Sequence, residues 1–251
     1  MSNASNNQLD RLSIRSRPAG SPIIYQSWGK LLFMHWALPA DALRPFIPSR
    51  LEIDTFQGKA WIAVVPFTIW NSRPIFTPPL PWLSSFHEIN VRTYVHLDGV
   101  PGVWFFSLDA NQRFGVWWGR TLFNLPYRSA RMTAKIDAGT RRVSFQSERR
   151  GAPARLTCRY EYRPTGDERL AEPGSFEFFL IERYILFAHA SSGRLYSGQV
   201  HHPPYRISDV ELRHWDEHLL ELGELPLPGR RPEHAVASPG VDVDVFRLRV
   251  V

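Results

Sequence analysis

The stretch FHEINVRTYVHL, from Phe86 to Leu97, alternates between two kinds of side chain. Successive side chains of a β-strand point to opposite faces of a sheet, so the alternation predicts a strand with one apolar and one polar face. The polar row is Glu88, Asn90, Arg92, Tyr94 and His96. This chemical variety, without a Lys or Ser, favours a barrel or cleft interior in which Glu88, Arg92 and Tyr94 orient a ligand. The alternative is an ordinary solvent-facing strand.

The same two-residue period recurs along most of the chain, and turn signals such as Phe56-Gln-Gly58 separate the segments. The predicted strands are 27–36, 51–55, 59–69, 86–97, 102–108, 113–119, 133–137, 141–148, 154–162, 182–188, 194–200, 206–213 and 242–250. The predicted helices are short: 39–46, 126–132, 174–181 and 215–222. A Pro-rich loop, 226–239, should lead to the last strand. Many short strands with short links predict a mainly β (α+β) fold with an antiparallel sheet.

The 251 residues, 43% of them hydrophobic, can form one domain, and no linker divides them. We expect a flexible lead-in, 1–21, and a single domain, 22–251. The longest uncharged apolar run, 60–70, is short of the roughly 20 residues that a membrane helix needs. The polar N-terminus has no secretory signal, and one Cys excludes an internal disulfide. These features predict a cytoplasmic protein without a membrane partner; a homo-oligomer is compatible with them.

The net charge of +6 comes from 27 Arg and three Lys against 24 Asp and Glu, with a pI near 9.8. Such a balance raises the question of nucleic-acid binding. Within the predicted strand 154–162, however, Arg155 and Arg159 alternate with apolar residues, as on a solvated strand face. Because no nucleic-acid-binding motif accompanies the charge, we predict no nucleic-acid partner.

A second cluster, Trp117-Trp118-Gly119-Arg120, precedes Leu125-Pro-Tyr127-Arg128. It predicts a strand that feeds an aromatic-walled turn and then a helix begun by Pro. A helix N-terminus favours anions, and Arg120 can hold a carboxylate through two parallel hydrogen bonds beside Trp118. The alternative is a structural Arg stacked on a Trp ring.

A third cluster is the charged pair Glu182-Arg183 inside the apolar run Phe179–Tyr184. Charges in such a run need partners. Either the pair anchors the barrel wall, or Arg183 borders a ligand site.

Several more specific motifs do not hold. The stretch His214–His218 matches the H-x-x-E-H zinc pattern, but no later helix offers the further acidic ligand. Cys158 lies on the apolar face of a predicted strand and should be buried and inert. The sequence has no dinucleotide or phosphate-binding glycine loop and no nucleophile elbow. We therefore expect neither a metal nor a cofactor.

Five motifs together resemble the YqjF-like family of uncharacterised bacterial proteins. They are Leu32-Phe-Met-His-Trp36, Phe86-x-Glu-x-Asn-Val-Arg-Thr-Tyr94, Pro101-Gly-Val-Trp-Phe-Phe-Ser-Leu-Asp109, Leu125-Pro-Tyr127 and Glu182-Arg-Tyr184. That family is a distant relative of acetoacetate decarboxylase. The resemblance implies a curved antiparallel sheet closed into a cone or barrel around a ligand cavity.

The resemblance to the decarboxylase itself is thinner. It implies that Glu88 is a pocket carboxylate and Arg120 a pocket cation, while the slots of the two decarboxylase lysines hold Tyr127 and Arg128. A guanidinium stays protonated and a phenol cannot form an imine, so the nucleophile is missing. Of the three Lys, only Lys135 is a candidate replacement.

Three hypotheses follow for the function. The first is a protein that binds a small carboxylate or carbonyl compound in an internal cavity and acts on it as a lysine-independent lyase or isomerase. Arg120 or Arg92 would hold the anion, Glu88 would act as base, and Tyr127 would donate a hydrogen bond or proton. The second is a non-catalytic ligand-binding or scaffold protein, and the third an imine-forming decarboxylase that uses Lys135. The first requires Glu88, Arg120 and Tyr127 to converge on one cavity.

Overall fold

A computed structural model describes residues 9–80, 82–190 and 192–251, without the side chains of Phe114 and Trp118. Strands dominate these residues. In chain order they are β1 (Ile24–Leu38), β2 (Glu52–Ile53), β3 (Ala60–Pro74), β4 (Phe86–Leu97), β5 (Val100–Ala110), β6 (Tyr127–Asp137), β7 (Arg142–Arg149), β8 (Cys158–Leu170), β9 (Ile185–His189), β10 (Leu195–His201), β11 (Arg206–His214), β12 (His234–Val245) and β13 (Arg249–Val250). The helices are α1 (Ala40–Leu43), α2 (Arg113–Phe123), α3 (Phe176–Ile181) and α4 (His218–Glu221), and 3-10 turns span Ser13–Arg15, Arg44–Phe46 and Ala154–Leu156.

The strands form one curved sheet whose hydrogen bonds close on themselves. One edge of β5 is divided, because Val103 and Trp104 pair with β9 whereas Leu108–Ala110 pair with β6. One edge of β12 is divided in the same way between β10 and β11. Two rings result, and they share β12, β1, β3, β4 and β5. The small ring is completed by β9 and β10, and the large ring by β6, β7, β8 and β11.

The predicted mainly β fold is confirmed, with one difference in strand direction. Most pairings are antiparallel, but β5 runs parallel to both β6 and β9. The parallel pairs are possible because a longer connection, including α2 in one case, returns the chain to the same end of the sheet.

Two hydrophobic cores lie on opposite faces of the shared strands. On β1, Leu32 and Met34 belong to one core, whereas Leu31 and Phe33 belong to the other. The first core also receives side chains from β6, β7, β8 and β11, so it fills the large ring. The second core includes residues of β4, β5 and α3, with Leu186 of β9 packed against it, so it fills the small ring.

Two adjacent predictions were wrong. The predicted strand 113–119 is the helix α2, and the predicted helix 126–132 is the start of β6. In α2, Val116, Gly119 and Phe123 are buried at helical spacing, and the side chain of Gln112 caps the first turn by accepting from the Gly115 amide at 2.6 Å. Short apolar stretches of this kind do not distinguish a helix from a strand by period alone.

The C-terminal third also differs from expectation. The predicted loop 226–239 ends early, because β12 already begins at His234. This strand continues through Pro239-Gly240, where Gly240 is indispensable: a Cβ there would lie 2.1 Å from the carbonyl oxygen of Trp28. The H-x-x-E-H stretch is not one helix, since β11 ends at His214 and α4 begins at His218.

Part of the N-terminal segment 1–21 contacts the sheet. Arg11 donates two hydrogen bonds to Asp54, Arg17 pairs with Asp244, and Gln199 donates to the carbonyl oxygens of Ile14 and Ser16. Residues 1–8 lie outside the described part. No helix in the described residues is long and apolar enough to cross a membrane.

Candidate functional site

The polar row of β4 lies inside the molecule rather than in solvent. Glu88, Asn90 and Tyr94 are buried and Arg92 is half-buried. Tyr94 belongs to the second core, so the row faces the interior of the small ring. The polar row of β4 therefore faces the interior, as its residue types predict, and not the solvent.

Glu88 is held as a buried carboxyl group beside a phenol. The Tyr127 hydroxyl donates to Oε2 of Glu88 at 2.9 Å. The pKa of Glu88 is raised to about 8: burial is the largest cause, the Tyr127 hydrogen bond opposes the rise, and the nearby Asp109 adds to it. At neutral pH the carboxyl group is mostly protonated, so Glu88 is a proton donor first and a base only above about pH 8.

Asp109 itself is paired on the other side. Nε and Nη2 of Arg149 donate to its two carboxylate oxygens at 2.8 and 2.7 Å. Two neighbouring carboxyl groups thus have different environments: Asp109 has a guanidinium partner, whereas the hydrogen-bond partner of the Glu88 carboxyl group among the described residues is a phenol.

The Gly119-Arg120 pair positions Tyr127. A Cβ atom at position 119 would lie 2.3 Å from Cδ2 of Tyr127, so the ring occupies the space that only glycine leaves open. Nε of Arg120 donates to the main-chain oxygen of Tyr127 at 2.7 Å. The Gly119-Arg120 pair, which resembles a decarboxylase motif, thus fixes the position of Tyr127. Tyr127 stands where the resemblance would put a lysine.

Arg92 has no anionic partner among the described residues. Its Nε and Nη2 atoms are buried without a hydrogen-bond partner, and the guanidinium lies 5.7 and 5.9 Å from the ring centroids of Phe33 and Tyr94. Oδ1 of Asn90, on the same strand face, is also buried and unpaired. Unpaired buried polar groups of this kind cost free energy unless a ligand or water binds them.

Two histidines, His35 and His202, lie near Arg92, and a third, His234, contacts His35; the sequence did not single them out as site residues. Nδ1 of His35 lies 3.0 Å from Nδ1 of His234, and the Nε2 atoms of His35 and His202 are buried without hydrogen-bond partners, whereas Nε2 of His234 lies 3.7 Å from Oε1 of Glu177. Burial lowers the pKa of each, and Arg92 lowers it further for His35 and His202, so all three are neutral at pH 7. The signal was weak: His35 shares its strand face with Phe33, as a core residue would, and His202 lies beyond a strand end.

Tyr94 and Arg183 already have partners. The Tyr94 hydroxyl donates to the Leu180 carbonyl at 2.9 Å. Arg183 pairs with Asp54 at 2.8 Å, and its Nε donates to the Phe179 carbonyl. Glu182 accepts hydrogen bonds from the Tyr184 hydroxyl and the Tyr205 amide. Of the two roles considered for the charged pair, these contacts favour anchoring α3 and the ring wall.

Arg120 and Tyr127 line a cleft of about 610 Å³ at the fork where β5 passes between β6 and β9. Phe46, Trp104, Phe106 and Phe187 contribute aromatic walls. The Arg120 side chain is exposed, and no hydrogen bond or ion pair connects it with Glu88 in the described part of the chain. The structure thus joins Glu88 and Tyr127 directly and places Arg120 on the outer side of Tyr127. The three side chains do not line one cavity among the described residues, so the expected convergence of Arg120 with Glu88 is not found. The Trp118 side chain lies outside the described residues.

The comparison with known proteins agrees with this fold. The model of the DUF2071 family, described as an uncharacterized conserved protein, matches residues 25–242. The chain belongs to the DUF2071 family. The uncharacterized protein YqjF of Bacillus subtilis (strain 168) is 38% identical to this DUF2071 chain over 196 residues, 78% of this chain and 79% of YqjF.

Two solved structures resemble this DUF2071 protein in fold. The enduracididine biosynthesis enzyme MppR complexed with pyruvate has a TM-score of 0.61 at 15% identity, with 94% of this chain and 93% of MppR covered. An acetoacetate decarboxylase has a TM-score of 0.63 at 15% identity, with 93% of this chain and 90% of the decarboxylase covered. At this identity the likeness establishes the acetoacetate decarboxylase-like fold alone.

Proposed function

We propose that this DUF2071 protein binds a small carboxylate or carbonyl compound inside the small ring. Arg92 holds the anionic group, and Glu88 with Tyr127 exchanges a proton with the bound molecule. The catalytic extension of this binding is a lyase or isomerase step that uses no lysine imine, and it takes Arg92 rather than Arg120 as the anion site. The observation that carries the proposal is the half-buried Arg92, whose Nε and Nη2 atoms are buried without a hydrogen-bond or anionic partner among the described residues.

The argument from Arg92 is electrostatic. A guanidinium that is partly removed from water is stabilised by an anion that accepts its hydrogen bonds. The neighbouring His35 and His202 are neutral and cannot supply that charge. A carboxylate ligand supplies both the charge and the acceptors.

The argument from Glu88 concerns proton transfer. Residues four apart on a strand have Cα atoms roughly 13 Å apart, so Glu88 and Arg92 lie on the same face of β4 with Asn90 between them, and the proposed ligand would span that distance. A carboxyl group with a pKa of about 8 gives or takes a proton near neutral pH. The hydrogen bond from Tyr127 fixes its orientation.

The relatives suggest which compounds to use as probes. MppR is described in complex with pyruvate, and acetoacetate decarboxylase is named for a 3-oxo acid. Pyruvate is therefore the first probe, and acetone, which has the carbonyl group but no carboxylate, is its matched control.

Isothermal titration with pyruvate tests the binding. Replacing Arg92→Met should weaken pyruvate binding ten- to hundredfold, since hydrogen bonds to charged groups contribute about 1.5–3 kcal/mol. Any acetone binding should not change. Arg131→Met is the control, because Arg131 is 67% exposed and pairs only with a surface carboxylate. Pyruvate affinity that survives Arg92→Met would contradict the proposal.

Proton transfer is tested by following exchange of the pyruvate methyl protons for deuterium by NMR. We expect exchange with the wild-type protein and its loss in Glu88→Gln, while pyruvate still binds. Binding that depends on Arg92 without any exchange would favour the alternative of a non-catalytic binding protein.

The imine hypothesis makes a separate prediction. Lys135 is exposed on β6, eight residues beyond Tyr127 and so roughly 26 Å away along the strand. Borohydride reduction in the presence of acetoacetate should therefore add no mass to a lysine. A Lys135 adduct would revive the decarboxylase hypothesis.

A further inference from the structure

A group of potential metal ligands lies in the large ring, apart from Arg92 and Glu88. Cys158, Asp216 and His218 each offer one ligand atom, and these atoms all lie within 4.8 Å of one another. Cys158 begins β8, whereas Asp216 and His218 flank the start of α4. The cluster thus joins two segments that are distant in sequence.

The backbone orients the carboxylate of this cluster. Oδ2 of Asp216 accepts from the Arg159 amide, and Oδ1 accepts from the His218 amide at 3.2 Å. Each oxygen retains a lone pair for a further contact. Nδ1 of His218 lies 3.6 Å from Oδ1 of Asp216 and donates to the Thr157 carbonyl oxygen at 3.1 Å. A metal ion would therefore bind Nε2 of this imidazole or replace the Thr157 hydrogen bond.

An independent observation points to a missing partner at the same place. Tyr160 is on the same face of β8 as Cys158 and is 1% exposed, yet its hydroxyl makes no hydrogen bond of ordinary geometry in the described structure, and the Cys158 thiol is its polar neighbour. Cys158 and Asp216 are among the groups that raise its pKa, so the hydroxyl lies next to the cluster. A buried hydroxyl is normally satisfied, and a ligand held by the cluster would satisfy this one.

The cluster also has an approach from solvent. His218, whose side chain is 33% exposed, lines a surface pocket of about 360 Å³ together with Trp215, Glu217 and Arg230. The imidazole of the cluster is therefore open to solvent on this side.

We infer that Cys158, Asp216 and His218 form a binding site for a divalent transition-metal ion of the zinc class, with the Tyr160 hydroxyl at its inner side. Sulfur, carboxylate and imidazole ligands suit Zn²⁺, which binds them tetrahedrally and leaves a fourth position for water when the protein supplies three. Bond lengths of about 2.0–2.3 Å bring ligand atoms to roughly 3.5 Å apart, so the side chains close by about 1 Å on binding. The thiol releases its proton to solvent as the metal–sulfur bond forms.

The site differs from the H-x-x-E-H pattern in the same segment. That pattern would use His214, Glu217 and His218, but His214 ends β11 and is exposed. The inferred site shares only His218 with it and adds Asp216 and Cys158, which lies 60 positions before His218.

The test uses the purified full-length protein after chelator treatment, titrated with Co²⁺ and then Zn²⁺. We expect one Co²⁺ per chain, a sulfur-to-cobalt charge-transfer band in the near ultraviolet, and displacement by Zn²⁺. Cys158→Ser should abolish the band, and His218→Gln should weaken Zn²⁺ binding about tenfold or more. His214→Gln is the matched control and should bind as the wild type does.

Two results would overturn the inference. One is the absence of a charge-transfer band at stoichiometric Co²⁺, and the other is unchanged Zn²⁺ affinity in both Cys158→Ser and His218→Gln. Circular dichroism of each variant separates loss of the site from loss of the fold. His218→Gln keeps the test decisive if Cys158→Ser does not fold, because His218 lies partly at the surface.

Discussion

Glu88 shows how one position combines stability and chemistry. The side chain is 3% exposed and lacks a cationic partner among the described residues, so its ionised form is disfavoured. A buried neutral carboxyl group, like a buried amide, needs a hydrogen-bond partner, and the Tyr127 hydroxyl is that partner. The free-energy cost of ionising Glu88 in the folded state is therefore a measurable property of the site.

Replacing Glu88→Gln should change the pH dependence of stability. Because the folded-state pKa of about 8 exceeds the usual 4.5, the stability of the wild type is complete below about pH 4.5 and falls as pH rises towards 8. The variant cannot ionise, so at about pH 9 it should be more stable by roughly 3–5 kcal/mol, with little difference at about pH 5. Thermal melts at both pH values measure this, with exposed Glu172→Gln as control. A difference that does not vary with pH would show that Glu88 ionises normally.

Asp54 contributes to the stability of the fold through its buried arginine partner. It accepts from Arg183, whose side chain is 1% exposed, and from Arg11. Asp54→Ala leaves a buried charge unpaired and should lower the free energy of unfolding by about 3–5 kcal/mol. The control Glu148→Ala breaks an exposed pair and should cost less than about 1 kcal/mol. Urea denaturation measures both, and equal losses would contradict the assignment of Arg183 to an anchoring role.

At the scale of elements, α2 and β6 act together. Tyr127 begins β6, but its ring lies on Gly119 of α2, so the packing of the helix on the sheet determines where the phenol meets Glu88. The sequence signals for these two elements were both misread, because a two-residue period was assigned to α2 and Pro126 was taken as a helix start. The contact between Gly119 of α2 and Tyr127 of β6 is visible only in the folded chain.

Two glycines of α2 provide a matched pair. Gly119→Ala places a Cβ 2.3 Å from the Tyr127 ring and should destabilise the protein by about 1–3 kcal/mol, despite the better helix propensity of alanine. At Gly115 the nearest atom to such a Cβ is 3.8 Å away, so Gly115→Ala should stabilise by about 0.5–1 kcal/mol. Denaturation midpoints compare the two variants. Similar shifts for both would mean that Tyr127 moves aside freely.

At the scale of the molecule, the two rings share five strands, and this sharing should organise stability. The strands β1, β3 and β4 have hydrogen-bonded neighbours on both sides and carry residues of both cores. In contrast, β2 and β13 lie at the ends of the strand order and have two residues each. The most protected part of the protein should therefore be the wall that carries the polar row.

Hydrogen exchange followed by mass spectrometry tests this expectation. Amides of β1, β3 and β4 should exchange slowest, through global unfolding, whereas those of β2 and β13 should exchange through local opening. If the amides of β7 and β8 exchange as slowly as those of β1, the two rings unfold together as one cooperative unit. Faster exchange in β4 than in β7 would contradict the shared-wall description.

The sequence by itself determined the sheet and the inner face of β4, because a two-residue period specifies which side chains share a face. It also determined the absence of a lysine at positions 127 and 128, since that is a matter of residue identity. Only the tertiary structure decided that Tyr127 meets Glu88, that His35 and His202 lie near Arg92, and that Cys158 meets Asp216 and His218. These contacts join residues tens of positions apart through ring closure and helix packing, and no local period encodes such distances.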